Sequence, residues 1–550
     1  MTQPPNWPPR GGFDRHIPLP PEQPPTPVQG PPQQQPADDG DGRPGAFGGT
    51  GTGTGTSSGS GTSSGTGTGA KLSPRSPLVL IAAGVVALAL VVGGVTYLST
   101  SGGDDPGAGA AGPADGDKSD GIDGPAAERP PADPAARPSL RLPAPKVAKR
   151  QVDSVRGSWL IDGTYAKAGV NQIAGYDAAT GRKTWTLPLS GQTCAGTAGV
   201  TDDGLAAVVS EAGKRAKNHR PRPCTQITVF DVNTGDKLWT KTVRQGTKDR
   251  RFEELSLSGN TLAAGGGFDG GAAFDIKSGR ILWQPDTGAC EDVGYRGGAR
   301  LVAVRKCGAY GKETYDVQLL DPTTGGPKWS YKLPAGSADV KVLSTRPVVF
   351  GVGTGHDAAR TINDILTVDD NGKLTSKIAI DHKKYDFTCE VGKTEGCAKL
   401  TVGNGRVYLA TRQHAVSGRS KSAARTSGTT NEIVSYSLET GKPTGDRVEG
   451  GDHDIFPLRM DGGHLLAFKT GAYDKGSEVA TIDPRTMKQR TLLETPATAT
   501  VRNAISGMAP GEAGAELHYA KGNLFIGRSV IGAPYADDGA RYTALGFTTD

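Results

Sequence analysis

The hydrophobic and polar positions divide the chain into three parts with different patterns. Residues 1–76 contain no sustained apolar run, whereas Pro77–Leu98 consists of apolar and small residues and carries no charge. From residue 138 onward, short runs rich in Val, Ile, Leu and aromatic residues alternate with clusters of Gly, Asp, Asn and Thr. Short runs bounded by turn residues predict β-strands, and the long uninterrupted run predicts a helix.

The uncharged run Pro77–Leu98 predicts one transmembrane helix. At about 1.5 Å per residue it spans roughly 33 Å, which is enough to cross the hydrocarbon core of a bilayer. Lys71 and Arg75 precede the run, and two aspartates follow it, so the N-terminus is predicted to be cytoplasmic and the C-terminal part extracellular. A cleaved signal peptide is the alternative, but about 75 residues come before this run, where a signal peptide would have a short basic start.

Composition predicts that the segments on both sides of this helix are disordered. Residues 1–76 are rich in Pro and Gln and then in Gly, Thr and Ser, which offer little apolar surface for a core. Within this predicted cytoplasmic tail, the stretch PLPPEQPP also has the PxxP spacing of ligands for proline-binding domains. Residues 99–137 are dominated by Gly, Ala, Pro and Asp and predict a flexible linker.

The part of the chain from 138 to 550 repeats one phrase. VFDVNTGDKLWT, which begins at Val229, consists of a β-like run, an Asn-Thr-Gly turn and a second β-like run with a Trp. The aspartates of the first five copies lie 44 to 54 residues apart, and a repeat of this length with several strands predicts the blades of a β-propeller. Close copies begin at Gly175, Ala273 and Leu319, and looser copies begin at Thr367, Ser435 and Thr481.

Each repeat is interpreted as four antiparallel strands, A to D. In the second unit strand A is predicted at 198–201, and Gly235 is expected to provide the positive φ of the C–D turn. The last copy, RYTALGF, lacks its own strand D, and SLRLPAP at 139–145 is predicted to fill that place and close the ring. The sequence therefore predicts an all-β propeller with eight blades, with seven as the alternative. One strand-D position is expected to place a ring between neighbouring blades in four units: Trp185, Trp239, Trp283 and Trp329.

The repeated phrase resembles the PQQ-like repeat, ALDAxTGKxLW, of quinoprotein dehydrogenases and of BamB-like propellers. The resemblance covers roughly residues 140 to 550 and is strongest in the four copies that carry the Trp. The chain also looks like actinobacterial proteins that place such a propeller outside the cell behind one membrane helix. This resemblance implies either a propeller that binds partners or one that oxidises a substrate with pyrroloquinoline quinone (PQQ).

Six cysteines follow the predicted helix, on the side of the membrane where disulfides persist. The strand assignment places each cysteine close to a neighbour on the face that carries the D–A and B–C loops. A metal site is the alternative, but no CxxC occurs and the pairs lie in different blades. The predicted disulfides are Cys194–Cys224, Cys290–Cys307 and Cys389–Cys397.

The two longest predicted B–C loops are basic and belong to the second and sixth blades, nearly opposite each other in the ring. They are either solvated loops or an anion-attracting face for teichoic acid or phospholipid headgroups. The net charge of the chain is only +5, which argues against a dedicated nucleic-acid-binding protein. The candidate anion-binding residues are Lys214, Arg215, Lys217, Arg220, Arg222, Arg412, Arg419, Lys421 and Arg425.

The sequence contains no motif that predicts catalysis. G-x-S-x-G and H-E-x-x-H are absent, as are the adjacent cysteines that the resemblance to alcohol-oxidising quinoproteins would require. The predicted inner strands show no recurring carboxylate cluster for calcium. In GDHDIF, Asp452, His453 and Asp454 are predicted to form a surface D–A loop. We therefore expect a membrane-anchored extracellular binding, sensor or scaffold module without a cofactor, with a PQQ-dependent dehydrogenase as the alternative.

Overall fold

The structure is a computed structural model. It describes residues 127–285, 288, 290–309, 311–354, 361–415, 429–472, 474–533 and 541–550. Among these residues, no helix is both long and apolar enough to cross a membrane. The predicted cytoplasmic tail, the predicted transmembrane helix and most of the predicted linker lie outside the described residues.

Eight four-stranded antiparallel sheets form the blades of a β-propeller. In blades 1 to 7 the strands are adjacent in the order of the sequence, from A at the axis to D at the rim. The A strands are Ser158–Ile161, Thr193–Gly196, Glu254–Ser258, Cys290–Arg296, Ala338–Thr345, Leu400–Gly403, Ile455–Asp461 and Ala515–Ala520. The B strands are Thr164–Gly169, Leu205–Glu211, Thr261–Gly265, Leu301–Cys307, Val348–Gly353, Arg406–Ala410, His464–Lys469 and Asn523–Arg528.

The outer half of each blade consists of strands C and D. The C strands are Gln172–Asp177, Cys224–Asp231, Gly271–Asp275, Thr314–Leu320, Asp364–Val368, Glu432–Ser437, Glu478–Ile482 and Tyr542–Thr548. The D strands are Lys183–Pro188, Lys237–Lys241, Ile281–Trp283, Pro327–Lys332, Leu374–Ala379, Pro443–Glu449, Gln489–Glu494 and, for blade 8, Arg137–Pro143.

Within the described residues, four two-stranded sheets and two short helices lie outside the eight blade sheets. One helix is Ala499–Gly507, between blades 7 and 8, and a 3-10 turn covers Gly267–Asp269. The strand pairs are Val152–Ser154 with Val530–Gly532, Arg244–Gln245 with Lys248–Asp249, Thr388–Cys389 with Cys397–Ala398, and His414–Ala415 with Thr429–Thr430.

The prediction of eight blades, closed by a strand from the N-terminal side, is confirmed. Arg137–Pro143 pairs antiparallel with Tyr542–Thr548, with Leu140 opposite Gly546 and Arg141 opposite Leu545. The predicted strand A of blade 2 is wrong, since it lies at Thr193–Gly196 instead of 198–201. Residues 198–201 lead into a turn that ends at Leu205, so they do not form a strand.

The tryptophan and the turn glycine of the repeat contact each other across the blade interface. A Cβ added to Gly235, in the C–D turn of blade 2, would lie 2.5 Å from the ring of Trp185 in strand D of blade 1. Gly235 also has φ +77°, which disfavours any side chain. Both the backbone conformation and the ring contact therefore require glycine here. Three further contacts repeat this geometry: Trp239 on Gly279, Trp283 on Gly325, and Trp329 on Gly372. The interpretation of these rings as inter-blade packing is confirmed.

The side chain of the repeated aspartate stabilises the same turn by accepting hydrogen bonds from the backbone of that turn. The Oδ1 atom of Asp231 accepts hydrogen bonds from the backbone N–H groups of Asn233, at 2.7 Å, and Thr234, at 3.2 Å. Asp177 accepts equivalent bonds from Thr180, and these bonds hold the pKa of that carboxyl below its ordinary value. The Asp-x-x-Thr-Gly phrase thus encodes a self-bonded turn whose glycine leaves room for the ring of the preceding blade.

Residues 127–136, which the sequence assigns to the flexible linker, contact the propeller. Glu128 is only 9% exposed, and its carboxylate lies 3.2 Å from the guanidinium of Arg459. Its backbone N–H donates to Asp461 at 2.9 Å, and its side chain accepts from the N–H of Lys521 at 3.0 Å. Asp461 and Lys521 lie at the A–B turns of blades 7 and 8, so the chain reaches the ring on the face of the A–B and C–D turns.

We expect Gly235→Ala to destabilise the propeller by about 2–4 kcal/mol, because the positive φ and the clash with Trp185 both oppose a methyl group. Gly259→Ala is the matched control, since Gly259 has φ +55° but open space at its Cβ position. Only the conformational cost of about 1 kcal/mol is expected there. Guanidinium unfolding midpoints measure both changes, and equal effects would contradict the role of the ring contact.

We expect Glu128→Gln to lower stability by about 1–3 kcal/mol, because it leaves the buried guanidinium of Arg459 with a weaker partner. The matched control is Asp133→Asn, since Asp133 is exposed and bonds only the nearby N–H of Ala135. Thermal unfolding of the full chain measures the difference. If both variants melt like the parent protein, residues 127–136 contribute nothing to the stability of the ring.

Candidate functional site

The inner strands of all eight blades surround one axial cavity of about 260 Å³. Its wall is partly apolar, with Leu343, Leu400 and Leu458 among the lining residues. Charged side chains from several blades also face it. The charged residues that matter below are Arg156, Glu254, Arg296, Glu390, Lys393, Glu395 and Glu516, and the imidazole of His518 also lines the cavity.

A disulfide-closed hairpin crosses the axis beside this cavity. Its strands Thr388–Cys389 and Cys397–Ala398 belong to the D–A connection between blades 5 and 6. The tip reaches blade 1, where Glu390 lies 2.8 Å from Arg156. It also reaches blade 3, where Lys393 donates to the carbonyl of Glu253 at 2.5 Å. These blades lie across the ring from the base of the hairpin, so the tip extends over the axis.

Blades 4 and 5 hold the same tip. Glu395 pairs with Arg296 at the end of strand A in blade 4, at 3.2 Å. The fully buried Lys341 of blade 5 donates to the carbonyl oxygens of Glu390 and Lys393, at 2.7 and 2.5 Å. The hairpin is therefore fixed to blades 1, 3 and 4 as well as to blade 5, from which it extends, and its position does not depend on the disulfide alone.

Two carboxyl groups near the contact between the tip and blade 3 have pKa values near neutrality. Glu254 is 6% exposed and accepts a hydrogen bond from the backbone N–H of Thr394. Burial raises the pKa of Glu254 to about 7, with Lys393 opposing the shift. Burial also raises the pKa of Glu395 to about 7, and the negative charge of Glu254 adds to this effect, while Arg296 opposes it. The Glu395 side chain is 17% exposed, so we expect solvent to reduce its shift.

A second polar cluster joins blade 8 to blade 1 at the cavity wall. The Nζ atom of Lys167, which is 2% exposed, lies 3.0 Å from Glu516. Burial lowers the pKa of Lys167, and the carboxylate of Glu516 opposes this change. The hydroxyl of Ser158 and the Nε2 atom of His518 are 2.8 Å apart. This cluster satisfies buried polar groups and presents a hydroxyl and an imidazole to the cavity.

The three predicted disulfides are present: Cys194–Cys224, Cys290–Cys307 and Cys389–Cys397. In the ring, Cys194 and Cys290 lie in A strands, and Cys224 and Cys307 lie at the ends of strands that border B–C loops. All three bridges therefore lie on the face of the D–A and B–C loops, which we call the loop-rich face. The hairpin tip adds Val391, whose side chain is 70% exposed, to this face.

The candidate anion-binding residues do not behave alike. Arg215 is bonded within the protein. Its guanidinium lies 2.7 Å from the carboxylate of Glu211 and donates to the carbonyl of Val152 at 2.8 Å. Arg412 is exposed but donates to the carbonyl of His382 at 2.6 Å. The exposed candidates in the blade 2 loop are Lys214, Lys217, Arg220 and Arg222. The remaining three, Arg419, Lys421 and Arg425, lie outside the described residues.

The GDHDIF stretch lies in the predicted D–A connection, but the prediction of a surface position is wrong for its histidine. His453 is 5% exposed, and its Nε2 atom lies 3.1 Å from the carbonyl of Gly476 and 3.4 Å from Glu478. Burial lowers the pKa of His453, with Glu478 opposing the shift. Asp452 points outward to Lys475 at 2.9 Å. The stretch packs against blade 7 with its imidazole buried, whereas the carboxylates of Asp452 and Asp454 lie toward the surface.

The channel residues were not identified from the sequence. The expectation that the inner strands carry no recurring carboxylate cluster did not single out Glu254 and Glu516, which lie on A strands of blades 3 and 8 and face the cavity. They do not recur at one position of the repeat, so the pattern gave no signal for them. Within the described residues, no three His, Cys, Asp or Glu side chains are grouped so as to hold a metal ion.

Sequence comparison agrees with the repeat assignment over part of the ring. A family model described as outer membrane protein assembly factor BamB matches residues 169–352. This segment runs from strand B of blade 1 to strand B of blade 5. The sequence of these blades is similar to that family model. No curated protein matches the chain.

Structural comparison finds other propellers at low identity. BamB from Moraxella catarrhalis is 12% identical, with a TM-score of 0.37, and the match covers 73% of this chain and 96% of that chain. A europium-containing methanol dehydrogenase is 13% identical, with a TM-score of 0.39, covering 74% and 93%. The C-terminal WD40 domain of Sif2 is 9% identical, with a TM-score of 0.41, covering 76% and 99%. None of these similarities carries a function to this chain.

The raised pKa of Glu254 predicts how stability depends on pH. The folded chain binds this proton more tightly than the unfolded chain, so stability decreases as the pH rises from about 4.5 to about 7. We expect Glu254→Gln to remove most of this loss, on the order of 3 kcal/mol between pH 5 and pH 8. Glu253→Gln, at the exposed neighbour, should keep the parent profile. Unfolding midpoints at several pH values measure the effect, and parallel profiles for all three proteins would contradict it.

Proposed function

We propose that the protein is a membrane-anchored extracellular propeller that acts without catalysis, as a binding or scaffold module of the cell envelope. Its proposed architecture, a propeller behind one membrane-spanning helix, is that of the actinobacterial proteins that the sequence resembles. In this proposal residues 77–98 cross the membrane, with the tail in the cytoplasm and the propeller outside. The observation that carries the proposal is the loop-rich face, where three disulfides and the axial hairpin form one fixed surface.

The filled axis supports binding over oxidation by PQQ. Such chemistry would need open space over the axis, adjacent cysteines above the cofactor and a cluster of calcium ligands. Here the hairpin tip lies over the axis, bonded to Arg156, Arg296 and Lys341. The six cysteines form three bridges, and none of these joins sequence neighbours. The residues present do not fit a PQQ–calcium site, and a rigid outer surface is left as the functional element.

The cysteine pairing supports an extracellular location. Every described cysteine is in a disulfide, and none is free among the described residues. Disulfides of this kind persist in oxidising compartments and are uncommon in the cytosol. Glu128 contacts the opposite face, with the A–B turns of blades 7 and 8.

One cysteine-labelling experiment tests location and binding together. Val391→Cys places a single new thiol on the loop-rich face, and Thr486→Cys places one in the exposed C–D turn of blade 7 on the other face. We expect a membrane-impermeant maleimide to label both on intact cells. We also expect a bulky polyethylene glycol on residue 391 to abolish the capture of an envelope component by the full-length protein, and the same group on residue 486 to leave capture unchanged.

Other results would contradict the proposal. Labelling only after cell lysis would place the propeller on the wrong side of the membrane. Equal loss of capture from both positions would show that the loop-rich face has no special role. A calorimetric titration of the full-length protein with PQQ and Ca²⁺ tests the alternative, and a saturable heat followed by alcohol oxidation would support the dehydrogenase instead.

A further inference from the structure

The connection from blade 8 to blade 1 carries cations that the sequence did not single out. Lys146, Lys149 and Arg150 are all exposed in this segment, just after strand Arg137–Pro143. The N–H of Gln151 donates to the carbonyl of Ala148 at 3.1 Å, which forms a turn with Lys149 and Arg150 at its tip. The turn leads directly into the short strand Val152–Ser154 on the loop-rich face.

Arg215 ties this segment to the basic loop of blade 2. Its Nη1 atom donates to the carbonyl of Val152 at 2.8 Å, and its guanidinium lies 2.7 Å from Glu211 and 3.8 Å from Asp153. Arg215 has the opposite role to the one predicted for it, because it is a buried clamp between two basic segments. The disulfide Cys194–Cys224 holds the end of the same loop.

The clamp leaves the surrounding cations without counter-charges. Both nearby carboxylates, Asp153 and Glu211, face Arg215. Among the described residues, none of the exposed cations of the two segments forms an ion pair. We call this set the blade 1–2 basic patch; it consists of Lys146, Lys149, Arg150, Lys214, Lys217, Arg220 and Arg222.

We propose that the blade 1–2 basic patch binds a linear phosphate-bearing polyanion of the cell envelope. Seven like charges on two segments that Arg215 joins attract a chain of anions more strongly than a single ion, because many counterions are released together. The patch differs from the pair of opposed loops expected from the sequence, because it joins neighbouring segments of blades 8, 1 and 2. Arg412 of blade 6 is excluded, since it is bonded to the carbonyl of His382.

The choice of a polymer over a bilayer rests on the proposed function. The patch lies on the loop-rich face, whereas Glu128 brings the chain to the opposite face. The proposed function places the patch outside the cell, on the face that Glu128 does not contact, so we take an envelope polymer as its occupant. Val152, 52% exposed, lies within the patch, so an anionic bilayer is the occupant that the experiment must distinguish.

Binding of a fluorescent linear polyphosphate to the full-length protein in detergent tests the proposal. At 50 mM salt we expect Lys149→Glu with Arg150→Glu, and separately Arg220→Glu with Arg222→Glu, to weaken binding at least tenfold. The matched control is Arg485→Glu with Lys488→Glu, which changes the net charge equally in an exposed turn of the other face and should change affinity less than twofold. Both patch variants should also show a shallower dependence on salt.

Three results would overturn the proposal. One is an equal loss of affinity in the control, which would indicate a net-charge effect only. Another is the absence of polyphosphate binding in the parent protein at 50 mM salt. The third is that the parent protein binds vesicles of phosphatidylglycerol and phosphatidylcholine but not polyphosphate, and that the two patch variants weaken this vesicle binding. Unchanged unfolding midpoints show that the variants fold. None of these results depends on the labelling experiment, so the failure of this proposal and of the proposed function can be told apart.

Discussion

The pairing of Arg137–Pro143 with Tyr542–Thr548 is the constraint on which the rest of the ring depends. In four places a tryptophan ring on strand D of one blade lies against the C–D turn of the next blade. Blade 1 needs the same support. A Cβ on its turn glycine, Gly181, would lie 2.0 Å from the carbonyl oxygen of Ser139, so the closing strand fits tightly against it. Without this strand, blade 8 would be incomplete and blade 1 would lose its neighbour.

A closed ring of eight blades leaves an open axis, and this protein fills part of it with charged groups. The hairpin closed by Cys389 and Cys397 places two glutamates against arginines of blades 1 and 4. Glu254 and Glu395 are close enough that the charge of one raises the pKa of the other. The axis therefore combines strong fixation of the hairpin with two carboxyl groups whose protonation changes near neutral pH. Fixation explains why the loop-rich face is a defined surface.

The parts of the structure that could be predicted are those that the repeat encodes locally. Trp185 and Gly235 recur at fixed positions because each blade interface has the same geometry, and the cysteine pairs follow from neighbouring strand ends. The contacts of Glu128 with Arg459 and of Glu390 with Arg156 join residues more than 200 positions apart. Such contacts occur once and leave no periodic signal. Arg215 shows the same limit, because a basic loop in the sequence does not reveal which cation is buried.

Closure by a strand from the N-terminal side also determines when the ring can form during synthesis. Arg137–Pro143 is made before any blade, yet its partner Tyr542–Thr548 comes after seven complete sheets. Until then this early strand has no partner, and the inner strands of blade 8 expose an unpaired edge to other chains. The nascent domain would thus remain an open arc for nearly its whole length. A chaperone that covers sheet edges would act during this interval, and premature release of the chain would favour strand exchange between copies.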